Sequence, residues 1–416
     1  MPSISNEVLC GSTPELLHPV LRLIKGREGI LRVADTLHLL AERCGQPGAM
    51  EDMAYFLSKP GLLKRTPHLM LISRGAKPTA EEIAIGDLLG AVLLYGYRVV
   101  GCNIGVFTTN DRSGRSTLIA PAPLRSRLAQ FAARTLIDRG AHVVMISFRD
   151  EVPSNREPLC ELSGPVSSKQ PASRWACRER EIAEYLPLES TYDGTLANIR
   201  PKTRTNMRSY RRRAEKELGC TSVSSVEISK KEFLAFSRQS MYAVPDRVAG
   251  WRYDILKELS APLFMGMHDK DGRWLSLVGG RRFDSSSEIL WQMNLEGLGR
   301  YSLSLVMRCY FMEHEISAGS RRFYLEGGTA HPIRHSFVNG KVIDLAVLRR
   351  SPAALVARKL ARHVIPGDNE LARMFSDADL EWTSPSRGPQ SAAPPDSETR
   401  PYPASPVLSR NGSHAP

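Results

Sequence analysis

No two of the seven cysteines form a CxxC pair, and Cys10, Cys44, Cys102, Cys160, Cys177, Cys220 and Cys309 are scattered along 416 residues. An odd, dispersed set argues against a disulfide framework and against a zinc ribbon, so reduced thiols and a cytoplasmic location are expected. The opening MPSISNEVLCGSTPELL lacks a basic stretch followed by an apolar core, so no secretory signal is read there. Long apolar runs are also scarce. The richest, LLGAVLLYGYRVVGCNIGVF at 88–107, holds Arg98, Asn103 and four glycines. A membrane span takes about 20 mostly apolar residues without a central charge, so two buried strands joined by a short turn are expected instead. A GxSxG elbow and a P-loop are both missing. Aromatics make up only 7% of the chain.

What is present fits a globular α/β protein. Apolar content of 42% and charged content of 24% are ordinary, and the length suits two or three domains or one two-lobed unit. The net charge is +12. Half of that excess sits in NIRPKTRTNMRSYRRRAEKE, residues 198–217, which has eight Lys or Arg against two Glu.

Residues 1–52 read as a helical N-terminal segment, with PELLHPVLRLI and ILRVADTLHLLAER repeating apolar residues at three and four. Strands are then expected at 68–73, 88–99 and 101–108, a helix over 122–140 closed by Gly140, and a strand at 141–148. The proline-broken stretch 151–175 reads as a linker. A second lobe repeats the plan: a strand at 181–188, helices at 203–218, 230–244 and 251–260, and strands at 262–269, 272–283 and 288–295 with turns at KDG and SSS. A helix over 302–319 and a strand at 321–327 follow. The expectation is α/β: two tandem mixed-sheet lobes at 53–165 and 166–365, then a tail at 366–416. From 385 the tail has eight prolines in 32 residues, a composition that predicts disorder.

On a helix, Thr203, Met207, Tyr210, Ala214 and Leu218 form one apolar stripe, with Arg204, Arg208, Arg211 and Arg212 beside it. The basic segment is therefore expected to be packed rather than a free arm, and its charge is either a solvated face or one wall of an anion site. Few aromatics interleave with its basic residues, which speaks against stacking of single-stranded nucleic acid.

LPLESTYDGTLANIRPKTRTNMRSYRRRAEKELG resembles the entry to the second domain of the FemAB/CelD-type N-acyltransferases, two-domain relatives of the GNAT fold, with Arg204, Asn206 and Arg208 at the matching L…R-x-N-x-R positions. GDLLGAVLLYGYRVVG, WLSLVGGRRF, ILWQMNLEGLGRYSLSLVMRCYFMEHEI and RRFYLEGGTAHPIRHSF resemble further parts of that family, over roughly 55–350. The resemblance implies two GNAT-like lobes, the first degenerate, and acyl transfer to an amine. It implies an acyl thioester or an aminoacyl-tRNA as donor, of which acyl-CoA is expected here, and places some relatives in cell-envelope or exopolysaccharide pathways; HxxxH at 331–335, with Pro332 after the first His and no third ligand, predicts no metal. The tRNA-using members often carry a long charged helical hairpin, which this sequence lacks. An aminoacyl-tRNA-dependent transferase, and a non-catalytic binder of nucleic acid or anionic polymer, are the alternatives.

The GNAT pyrophosphate loop, Q/R-x-x-G-x-G/A, has its counterpart in NLEGLG, with Asn294, Gly297 and Gly299, then Arg300 and Ser302 as an N-cap. Glycines admit a phosphate close to the backbone, and a helix N-terminus favours an anion. Asn294 departs from the family residue, Glu296 would repel phosphate, and the same six residues would serve as an ordinary strand-to-helix turn. Gly279 and Gly280 suit either a strand bent for a close ligand or a β-bulge. Amide formation needs a group to take the amine's proton, for which Glu326, His331 and His335 are candidates. A structural salt bridge and surface positions are the plainer roles for those three. Tyr301 could protonate a leaving thiolate or simply pack. Cys309, among apolar neighbours, reads as core. RRF at 281–283 and 321–323, with Arg204 and Arg208, could line a positive cleft.

Overall fold

The computed structural model describes residues 19–46, 53, 57, 65–74, 85–99, 101–109, 118–149, 173–325 and 332–364. The tail from 366, most of the 151–175 stretch, Glu326 and His331 lie outside the described residues.

The first half runs β1 (Val20–Lys25), α1 (Arg27–Leu31), α2 (Ala34–Arg43), β2 (Arg65–Ser73), β3 (Leu88–Val99), β4 (Cys102–Thr108), β5 (Leu118–Ile119), α3 (Arg125–Asp138) and β6 (Val143–Arg149). The second runs β7 (Ser173–Pro187), α4 (Tyr192–Ala197), α5 (Pro201–Leu218), β8 (Thr221–Val223), α6 (Lys230–Arg238), α7 (Asp246–Ile255), β9 (Pro262–His268), β10 (Trp274–Phe283), β11 (Ser286–Asn294), α8 (Leu303–Ser317) and β12 (Arg322–Leu325). Then come β13 (Val338–Arg349) and α9 (Pro352–Val364).

Both halves repeat one plan. Three antiparallel strands (β2–β3–β4, β9–β10–β11) lead into a helix, which returns a strand parallel to the third: β6 beside β4 and β12 beside β11. Each returning strand then takes an antiparallel closing neighbour, β13 for β6 and β7 for β12. The closing strand of the first half thus comes from beyond the second half. Because β13 and β7 also pair with each other, one sheet runs unbroken in the order β1-β2-β3-β4-β6-β13-β7-β12-β11-β10-β9-β8, with β5 on β3. At this seam, Ser147 Oγ donates to Asp344 Oδ1 at 2.6 Å and Arg180 Nε donates to Asp344 Oδ2 at 2.7 Å.

Packing explains the element types. α3 buries Leu128, Ala129, Ala132, Ala133, Leu136 and Ile137 on the first half's sheet, in a core that also takes Ile343, Leu345 and Val347 from β13. α8 is buried nearly all round, from Leu303 through Met312 apart from Ser304. The sheet covers one side of it and α5 the other, so its sequence carries no polar face. α5 uses the expected stripe: Thr203, Met207 and Ala214 are buried, and Tyr210 and Leu218 pack against the same core.

Four expectations need correction. Residues 14–24 were expected to be helical, yet Val20–Lys25 is a strand on β2. At a period of two, Leu21 and Leu23 meet the core on one face and Ile24 a separate cluster on the other, so sheet pairing overrides a helix-compatible spacing. The strand expected at 181–188 starts at Ser173, because β7 has strand partners on both edges. The helix expected over 230–244 stops at Arg238, since Met241 N donates to Asn294 O at 2.9 Å. The β10–β11 turn is Asp284–Ser285, with Asp284 at φ 49, while Ser286 and Ser287 already pair in the ladder.

Candidate functional site

β11 leaves a half-open edge. Its parallel ladder with β12 covers only Ser286–Ile289, opposite Arg322–Leu325. Among the described residues, positions 290–294 have no strand partner on that side, although β10 continues to pair on the other. This edge runs into the turn at 295–302 and from there into α8.

The start of the turn is anchored by two backbone bonds. Leu295 N donates to Leu275 O at 2.9 Å, and Glu296 N donates to Gln239 O at 3.0 Å. Gly297 adopts φ +83, with nothing within 4 Å of where a Cβ would stand. Gly299 likewise faces open space. A short 3-10 turn at Gly299–Tyr301 follows. Ser302 then occupies the N-cap of α8 in a left-handed conformation, φ 47 and ψ 55, and its side chain makes no capping bond. Its carbonyl starts the helix by accepting from Leu305 N at 2.8 Å.

The basic helix closes over the far end of this turn. Tyr301 is 2% exposed, and its hydroxyl donates to Glu217 Oε2 at 3.0 Å and accepts from Arg300. Arg300 pairs with Glu217 at 3.3 Å, and Arg213 donates to Arg300 O at 3.1 Å. The structure thus brings Arg300 and Tyr301 against the C-terminal half of α5.

The other expected residues lie elsewhere. Arg204 donates to Ala197 O at 3.1 Å and Arg208 to Asp193 Oδ1 at 3.0 Å, both toward α4. Asn206 is exposed. At a rise of about 1.5 Å per residue, nine residues or about 14 Å of helix separate Arg204 from Arg213. His335 is exposed in a 3-10 turn, Pro332–Ser336, whose Ser336 Oγ accepts from Arg200 N at 3.4 Å, at the opposite end of α5 from Tyr301.

Asn294 does not point out of the turn. Its Oδ1 accepts from Ser276 Oγ at 2.9 Å and from Gln292 Nε2 at 3.0 Å, so its side chain belongs to the sheet surface. Gln292 Oε1 in turn accepts from Arg308 Nε at 3.2 Å. This polar row, Ser276–Asn294–Gln292–Arg308, lies under α8 along the half-open part of β11. Sequence reasoning passed over Ser276, Gln292 and Arg308. The available signal was Arg308 as the single charge in the run LSLVMRCYFM.

Other groups hold the frame. Gly279 and Gly280 form a bulge against β11, where a Cβ on Gly279 would collide with the Trp291 ring. Three of the four RRF arginines take separate partners. Arg281 is paired in the interior with Glu288 at 3.0 Å, Arg282 is held by the buried Glu315 at 2.7 Å, and Arg322 lies over the Tyr185 ring. Cys309 is fully buried, and desolvation pushes its thiol up to about 11, so it stays protonated at neutral pH.

No family model matches the sequence, and no curated protein does. Solved structures align over most of the chain at low identity. A tandem GNAT protein from the clavulanic acid biosynthesis pathway is 12% identical, with a TM-score of 0.42, covering 80% of this chain and 99% of its own. FemX is 9% identical, with a TM-score of 0.43 and coverages of 74% and 95%. L-PGS from Bacillus licheniformis is 11% identical, with a TM-score of 0.42 and coverages of 78% and 96%. These likenesses concern layout and assign no residue or substrate.

Proposed function

We propose that the chain is an N-acyltransferase that moves an acyl group from a thioester donor of the acyl-CoA type to an amine on a small molecule or glycan precursor. One observation carries the reading: β11 continues past its ladder with β12 and leads, with its edge half open, into a glycine turn and a helix N-terminus. An extended donor arm can add to such an edge through backbone hydrogen bonds. Phosphates suit the turn, because Gly297 keeps it open and the start of α8 offers N–H groups and a favourable dipole. Arg300 supplies the nearby cation. Its pair with Glu217 is largely exposed, and such pairs are worth about 0–1 kcal/mol, so a phosphate can compete for it.

In the reaction, a neutral amine attacks the thioester carbonyl and the C–S bond breaks. A base takes the amine proton, and the thiolate leaves or is protonated. Glu326 is the candidate for the base; Tyr301, whose hydroxyl touches Arg300 at the phosphate end of the arm, and His335, beside the start of α5, lie at opposite ends of that helix and do not flank one carbonyl. The test is thermal stability with CoA, acetyl-CoA and a long-chain acyl-CoA. A donor at about 100 times its dissociation constant should stabilise the fold by about 2.7 kcal/mol, and Gly297→Val should abolish that response. No response to any of them, with tRNA binding that weakens steeply with salt, would replace this reading with the aminoacyl-tRNA-dependent one.

A further inference from the structure

Arg308 is the one charged side chain in the buried run of α8 from Leu303 to Met312, and it is 7% exposed. Its Nε donates to Gln292, a neutral amide. Its Nη1 is buried with no hydrogen-bond partner. The neighbouring charge that acts on it is another guanidinium, Arg334, which lowers the Arg308 pKa further after desolvation has done most of the work, to about 9. Arg334 is itself partly buried, and burial lowers its pKa as well. At neutral pH Arg308 keeps its proton. Among the described residues no carboxylate offsets its charge, whereas Arg281, likewise buried in this half, is paired with Glu288.

A buried charge without a counter-charge is costly, and replacing such groups by apolar side chains is often neutral or stabilising. A cost of that kind at the half-open edge of β11 is the mark of a site that waits for an anion. We propose that Arg308, with Arg334 beside it and Gln292 orienting its guanidinium, is a subsite for a carboxylate on the amine acceptor. Planar guanidinium and carboxylate groups match in geometry, and a single negative charge balances the single uncompensated one. The ligand's role as acceptor rests on the acyltransferase reading; the binding of a carboxylate does not.

The experiment is thermal stability of the full chain in sodium acetate, sodium chloride and sodium phosphate at equal ionic strength, for wild type and Arg308→Met, each with and without acyl-CoA. Acetate at ten times its dissociation constant should raise the wild-type folding constant about eleven-fold over chloride. Arg308→Met should lose that response, keep any response to acyl-CoA, and be at least as stable as wild type in chloride. An acetate response confined to wild type, with no acyl-CoA response in either protein, supports the subsite and rejects the acyltransferase reading. An equal acetate response in both proteins, a response to phosphate but not acetate, or an Arg308→Met protein less stable than wild type in chloride would each overturn the proposal. Arg308→Lys is the second variant, which keeps the charge and loses the fork. It is expected to bind acetate at least ten-fold more weakly, and unchanged affinity would sink the idea.

Discussion

Asp344→Ala tests whether the seam between the halves is held by chemistry or by shape. Asp344 is 2% exposed, on a strand that pairs with β6 on one side and β7 on the other. It accepts from a serine hydroxyl and from a guanidinium whose side chain is 10% exposed. Removing one partner of a buried ion pair costs about 3–5 kcal/mol, because the other charge stays buried. Arg180 has further interactions that soften this, so the lower end, about 3 kcal/mol, is the expectation. Ser147→Ala alone should cost about 1.5 kcal/mol, the loss of a hydrogen bond to a charged group. Once Asp344 is gone it should cost little, giving a coupling of about 1 kcal/mol in the double-mutant cycle. Urea unfolding followed by tryptophan fluorescence reads all four proteins. Because β13 closes one half while following the other in sequence, a single transition is expected in each. An Asp344→Ala protein within 1 kcal/mol of wild type, or additive single effects, would refute the reasoning.

Tyr301→Phe should cost about 1 kcal/mol in stability, since one hydrogen bond to Glu217 is lost and the buried ring stays. Because its hydroxyl touches Arg300, the expected kinetic effect is a higher KM for the donor with turnover kept, measured by release of free thiol. Arg204→Ala combined with Arg208→Ala should leave the urea midpoint within the range of two surface contacts, about 1–2 kcal/mol, so a loss of acyl transfer would report substrate contact. Gly279→Ala should destabilise by about 1–3 kcal/mol in the same unfolding assay, because its Cβ would collide with Trp291.

The parts of the site visible in the sequence were those with local signatures. NLEGLG marked a turn between strand and helix, and the α5 stripe marked a packed basic helix. Pairing was out of reach. Leu21, Leu23 and Ile24 suit a helix or a strand equally, and only β2 decided between them. β13 went unread, and nothing local says that it fills a gap between β6 and β7, which meet it across 197 residues at Ser147–Asp344 and 164 at Arg180–Asp344. The RRF arginines looked alike in sequence. Arg281 and Arg282 found acids on a neighbouring strand and on α8, whereas Arg308 found none among the described residues.

Periodicity, glycine and proline placement and charge clustering are local properties, and they determined most element types, the repeated plan and the docking of the basic helix. Which cations are neutralised and which edge stays open depends on neighbours far apart in sequence. Those were decided by the tertiary structure alone, because ion pairing, desolvation and ladder hydrogen bonds act across space.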